Sequence, residues 1–223
     1  MRRILPPVFG GGPYAVGMAR YFDVHPANPQ HRSLSQVVEI LNDRGVIAYP
    51  TDSAFALGCT MGHKEGLERI RRIRGLGEKH QFTLVCSEFA QLGEYVQMDN
   101  DVFRAIKAVT PGPYTFILKA TRETPRAMLM PKKRTVGVRV PDHVTALALL
   151  DELGSPMVSS SLILPGEDDP LIDGWTVKEE LDHQVDAVLD SGDCGLGPTT
   201  VIDFSEGDVE ILRRGAGDTA PFE

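Results

Sequence analysis

From Ser33 to Arg214, short apolar runs of strand length alternate with stretches of helical periodicity, with neither a linker nor an internal repeat between them. This interleaving constrains the fold most, because strands and helices that alternate along a chain pack as a sheet with helices against its faces. One mixed α/β domain follows, and the chain's 223 residues suffice for a sizeable core. The domain is organised around Gly45–Cys59, where Val46–Tyr49 reads as a buried strand bounded by Gly45 and Pro50. Thr51, Asp52 and Ser53 then sit at a strand end, where a rigid element can offer hydroxyl and carboxylate groups to a ligand. The same residues are turn formers and would also suit an ordinary strand-to-loop turn.

Apolar spacing predicts a helix from Ser33 or Ser35 carrying Leu34, Val37, Val38 and Leu41, and a second from about Lys64 to Gly75 with Leu67, Ile70 and Ile73 inward. A third, capped by Asn100 or Asp101, carries Phe103, Ile106 and Val109 and is broken by Thr110-Pro-Gly-Pro. Further helices are expected over Asp142–Leu153 and from a capping box at Thr176 to about Gln184. Strands are expected at Phe82–Cys86, Tyr114–Lys119, Thr135–Val140, Met157–Leu164 and Val185–Leu189, with a closing hairpin of Thr199–Phe204 and Val209–Arg214. Thr135–Val140 alternates cleanly, placing Thr135, Gly137 and Arg139 on one face and Val136, Val138 and Val140 on the other. Tyr21–Arg32 reads as a polar lead-in. Residues 1–17, with Pro6, Pro7 and Gly10–Gly12, read as a flexible N-terminal extension to a domain spanning 18–223, and Met18 offers a second start.

Hydrophobic content of 42% and charged content of 24% are those of a soluble globular protein, and no apolar run reaches bilayer-crossing length. A net charge of −8 argues against nucleic-acid binding by the whole surface, so cations are read by position. Two local concentrations stand out. Arg69, Arg71, Arg72 and Arg74 lie on the second helix, as a solvated face or an anion site. Arg122–Arg134 is a basic, proline-containing loop in which Lys132, Lys133 and Arg134 are RNA-binding candidates. Cys59, Cys86 and Cys194 are odd in number and lack CxxC spacing, which predicts reduced core thiols in a cytoplasmic protein. The six histidines show no zinc spacing and read as surface or loop residues, so no structural metal site is expected.

Several ordered segments form a set: YPTDS at 49–53, RIRRIRGLG at 69–77, TPGPYTFILK at 110–119, TVGVRVPDH at 135–143, SSSL at 159–162 and GPTTVID at 197–203. Together they resemble the YrdC family, and HPANPQ at 25–30 with RIRGLGEKHQFTLVC resembles its YciO branch. The resemblance covers about residues 18–222. It implies a single twisted mixed-sheet α/β domain of the YrdC/RibB type around a large concave, positively lined cavity. It also implies a nucleotidyltransferase that joins L-threonine, bicarbonate or CO2 and ATP, with Mg²⁺ on the nucleotide, into threonylcarbamoyl-AMP and pyrophosphate, for threonylcarbamoyladenosine in tRNA. Such chemistry rests on positioning and charge stabilisation and requires no nucleophilic triad.

By that resemblance Thr51, Arg139, Ser161 and Thr199 would hold threonine, with Arg139 forking its carboxylate. Arg74, Thr135 and Arg213 would meet the nucleotide, and Thr51 and Arg74 would be the catalytic pair. Strand rise puts Thr135 and Arg139 about 13 Å apart on one face, a separation that suits two ligands in one cavity. Two departures stand out. The catalytic branch has Lys-x-Arg where this chain reads Arg74-Gly75-Leu76, and Ser-x-Asn where it reads Ser161-Leu162-Ile163. Each loss is expected to cost about a few kcal/mol, roughly two orders of magnitude in rate or affinity. Two other readings stay open: a non-catalytic module binding tRNA or double-stranded RNA, and an enzyme of this fold acting on another acyl or nucleotide substrate.

Overall fold

The computed structural model describes residues 17–77, 80–130, 132–192, 194–195 and 197–223. The extension expected at 1–17 lies outside these, apart from Gly17. In chain order the elements are β1 (Arg20–Asp23), α1 (His31–Asn42), β2 (Ile47–Tyr49), β3 (Ala56–Thr60), α2 (Lys64–Arg74), β4 (Thr83–Val85), α3 (Phe89–Tyr95), α4 (Asn100–Ala108), β5 (Tyr114–Lys119), β6 (Thr135–Arg139), α5 (Val144–Leu153), β7 (Met157–Ser161), α6 (Gly174–Leu181), β8 (Ala187–Asp190), β9 (Thr200–Asp203) and β10 (Glu210–Arg213). All ten strands join one sheet in the order β1-β8-β2-β3-β7-β4-β6-β5-β9-β10. Pairing is parallel at β1/β8, β2/β8, β4/β6 and β5/β9 and antiparallel elsewhere, so the mixed α/β expectation holds.

Alternation along the strands divides the core in two. On one face Leu67, Ile70 and Ile73 of α2, Leu92 of α3, Ile106 of α4 and Val177 and Leu181 of α6 pack on Val46, Ala48, Leu57, Leu84, Val136 and Val138. On the other, α1 (Leu34, Val37, Leu41) and α5 (Ala146, Leu149, Leu150) cover Ile47, Tyr49, Ala56, Met157 and Leu189. That second helical layer stops short. Across β4, β6 and β5 the same face carries Thr83, Thr135, Gly137, Arg139 and Thr115 instead of an apolar row. The polar half of this face forms the floor of the site.

Several local expectations are corrected. The polar lead-in contains β1, an edge strand whose Phe22 and following Val24 are buried against β8; tertiary pairing overrides weak local propensity. β3 also gave no sequence signal, because Ala56, Gly58 and Cys59 are poor strand formers and earn their place only by burial between β2 and β7. α3 was equally silent, being only seven residues long. Helix starts move to Gln30, Asp99 and Asp173 as N-caps: Asp99 accepts from the amides of Asp101 and Val102, and Asp173 accepts from that of Thr176. His63 is buried beside Cys59, and Gly66 lies against the pair, rather than at the surface. All three cysteines are buried, and burial pushes the Cys59 and Cys86 thiols up to about 12.

Candidate functional site

Pro50 ends β2 and the chain turns through Thr51–Ala54 over the polar face. The Thr51 hydroxyl donates to the Ala54 carbonyl at 2.6 Å and accepts from the amides of Ser53 and Ala54 at 3.2 and 3.3 Å, which pins the turn. The turn delivers Asp52 and Ser53 to Arg139, at the end of β6 and only 6% exposed. Arg139 Nη2 is ion-paired with Asp52, and Nη1 donates to the Ser53 hydroxyl at 3.3 Å. The second Asp52 oxygen accepts from the Asp142 amide at 3.0 Å. Arg139 Nε is buried without a hydrogen-bond partner among the described residues.

Thr51, Ser53, Thr83, Thr115, Arg139 and the serines of β7 line one pocket. Antiparallel pairing with β3 sets those serines: Ser161 opposes Ala56 and Ser159 opposes Gly58. Tyr49 donates to Ser159 at 2.8 Å, and burial raises its phenol to about 12. Ser160 accepts from Arg74 Nη1 at 2.7 Å and lies 3.1 Å from His80 Nε2. Arg74, the last residue of α2, also donates from Nε to the Ile163 carbonyl at 3.2 Å. The Ile163 backbone therefore holds the cation at the position where the catalytic branch carries asparagine.

On the far side, Arg213 donates from Nε to the Thr199 carbonyl at 2.8 Å and from Nη2 to its hydroxyl at 2.9 Å. The Thr199 hydroxyl also shares a hydrogen bond with that of Thr115, 3.0 Å away. Between Ile211 and Arg213 the β9/β10 register shifts, an irregularity at the residue that carries the cation. Arg213 links the other two guanidiniums electrostatically. Burial and then the charge of Arg213 lower Arg74 to about 10, and burial and then Arg139 lower Arg213. His80 falls to about 4, chiefly by burial and then by Arg74 and Arg71. Partly desolvated cations held this close together favour an anion between them.

Of the expected site residues, Thr51, Arg139 and Ser161 line this pocket. Arg74 joins it through its bond to Ser160, Thr199 through Thr115 and Arg213 through Thr199. Thr135 shares the sheet face of Arg139 but makes no such link to a lining residue; Gln81 Nε2 donates to its hydroxyl at 3.2 Å. Lys132, Lys133 and Arg134 are exposed elsewhere, with Lys133 paired to Glu206 at 3.2 Å. Asp52 and Ser53, which the strand-end reading offered to a ligand but to which no role was assigned, engage Arg139 instead. Sequence reasoning missed Thr83, Thr115 and His80, which no local pattern marked. Among the described residues no cluster of His, Cys, Asp or Glu could hold a metal. Asp52, the carboxylate nearest the pocket, is already engaged by Arg139.

These features define a class: single-sheet α/β proteins with a half-covered face whose polar half carries hydroxyls and converging arginines. The chain belongs to the Sua5/YciO/YrdC family, whose model, described as "Telomere recombination", matches residues 39–215. Escherichia coli YciO is 48% identical over 205 residues, 92% of this chain and 100% of that protein, and its crystal structure superposes with a TM-score of 0.90. A Vibrio vulnificus protein named threonylcarbamoyl-AMP synthase is 30% identical over 161 residues, 70% of this chain and 85% of its own. The structure of P. abyssi Sua5 complexed with L-threonine shares the fold, with a TM-score of 0.81 at 23% identity, covering 87% of this chain and 57% of that one.

Proposed function

We propose that the pocket binds L-threonine and ATP and supports threonylcarbamoyl-AMP synthase chemistry in the cytoplasm, serving tRNA modification. The observation that carries this reading is the buried Arg139 at a wall of hydroxyls, with Arg74 and Arg213 adding positive charge beside it. The threonine carboxylate takes Arg139, sharing it with Asp52. The threonine amine attacks bicarbonate or CO2 to give a carbamate, with water lost when bicarbonate is the source. The carbamate oxygen then attacks the α-phosphorus of ATP, and pyrophosphate leaves with the electrons of the broken P–O bond. Arg74 and Arg213 offset phosphate charge as it builds. Mg²⁺ bound to the triphosphate would supply further neutralisation of phosphate charge beside Arg74 and Arg213. The name of the Vibrio relative and the threonine complex of the archaeal one support this substrate pair.

The test is threonine- and bicarbonate-dependent pyrophosphate release from ATP by the purified protein. Leu76→Arg/Ile163→Asn, which restores both groups of the catalytic branch, should raise the rate by about two orders of magnitude or more. No release by either form rejects the reading. A second reading, a tRNA- or double-stranded-RNA-binding module without chemistry, is supported by the exposure of Lys132, Lys133 and Arg134. It requires salt-dependent RNA binding that weakens when those three charges are removed.

A further inference from the structure

Beyond the pocket of Arg139, the opposite end of β5 and β6 forms a second concavity. It encloses about 310 Å³ and is lined by Gln97, Lys119, Thr121, Arg122, Lys133 and Arg134. Lys119 is four residues along β5 from Thr115, so the two sites lie about 14 Å apart on the strand. Among the described residues no carboxylate lines it, in a protein of net charge −8. Of its four cations, Lys133 pairs with Glu206, while Lys119, Arg122 and Arg134 make no ion pair among the described residues.

The cleft is built rather than incidental. Three segments are stitched together beneath it: the Gln97 amide donates to the Lys119 carbonyl at 2.8 Å, the Thr121 amide to Tyr95 at 2.8 Å, and the Ala120 amide to Arg134 at 2.9 Å. Val96 and Ala120 form a β-bridge under its floor. Arg134 also holds a left-handed backbone, φ 53°, a conformation in which glycine would be less strained. The concavity, about 310 Å³, has room for a phosphate group.

We propose that this cleft is a second anion site, which takes a phosphate group carried by a small diphosphate or by a polynucleotide backbone. The proposal does not depend on the chemistry assigned to the Arg139 pocket; its polynucleotide source rests on the RNA-binding reading of Lys133 and Arg134, whereas pyrophosphate tests the cleft without that reading. Inorganic pyrophosphate is titrated by calorimetry into Arg74→Gln/Arg213→Gln, which weakens the first pocket for phosphate, and into the same protein carrying Lys119→Gln/Arg122→Gln/Arg134→Gln. Binding should persist in the former and weaken roughly tenfold or more per lost cation in the latter. A single-stranded RNA of about ten nucleotides identifies the source. If RNA also binds, with a salt slope that falls by about 2 in the triple substitution, the phosphate belongs to a polynucleotide; if pyrophosphate alone binds, it belongs to a small diphosphate. Arg134→Gly relieves the left-handed strain, so it should unfold no earlier than the parent yet bind less well, which a purely structural Arg134 would not show. Failure of both probes to bind, or affinities untouched by the triple substitution, would overturn the site.

Discussion

Arg139 and Asp52 are both nearly solvent-free, with side chains 7% and 8% exposed, so each depends on the other. Arg139→Gln leaves a buried carboxylate facing a neutral group, a loss of about 3–5 kcal/mol and a fall in the unfolding midpoint on the order of 10 °C. Calorimetric scans should show that drop. Adding Asp52→Asn should recover most of it, while threonine binding stays lost in both proteins. His80 predicts acid sensitivity. Its pKa in the fold lies at about 4, below the ordinary 6.5, because burial and the Arg74 and Arg71 charges disfavour its imidazolium. Its contribution is therefore complete above about pH 6.5 and is lost as pH falls towards 4, because the unfolded chain takes up the proton first. His80→Gln should flatten denaturation midpoints across that window; an unchanged profile would refute the assignment.

β6 shows how a single strand serves both core and ligand. Val136 and Val138 are fully buried on the helical side, while Gly137 and Arg139 face the site. A Cβ on Gly137 would stand 3.0 Å from Thr83 Oγ1 and 3.2 Å from Thr115 Cγ2, so the glycine keeps the floor open between two hydroxyl-bearing strands. Gly137→Ala should weaken threonine binding several-fold in a titration, with a shift in unfolding midpoint of only a few degrees. The alternation of this strand was legible in the sequence, because three valines at period two leave no other choice of inner face. β3 was not legible: a run of Ala-Leu-Gly-Cys becomes a strand only because β2 and β7 lie on either side of it.

At the scale of the molecule, the division of labour follows from helix placement. Among the described residues, α2, α3, α4 and α6 pack on one face, and α1 and α5 pack on the other over β1, β8, β2, β3, β7 and Val85 at the end of β4. The interleaved α/β pattern was readable from helical and strand periods along the chain. Which half of which face would stay bare was not, since that depends on strand order, and β4, β6 and β7 are neighbours despite wide separation in sequence. The convergence of Arg74, Arg139 and Arg213 was likewise invisible to spacing and was approached only through family resemblance.

Arg213 stands on the last strand, and it anchors Thr199 by two hydrogen bonds across the closing hairpin. The pocket that opens with Thr51 is therefore completed only when the final strand docks on β9. A chain emerging from the ribosome carries the turn at Thr51 long before it has the cation on the opposite wall. Ligand binding thus reports a finished molecule, and partly synthesised chains would present the first wall of the pocket without its partner.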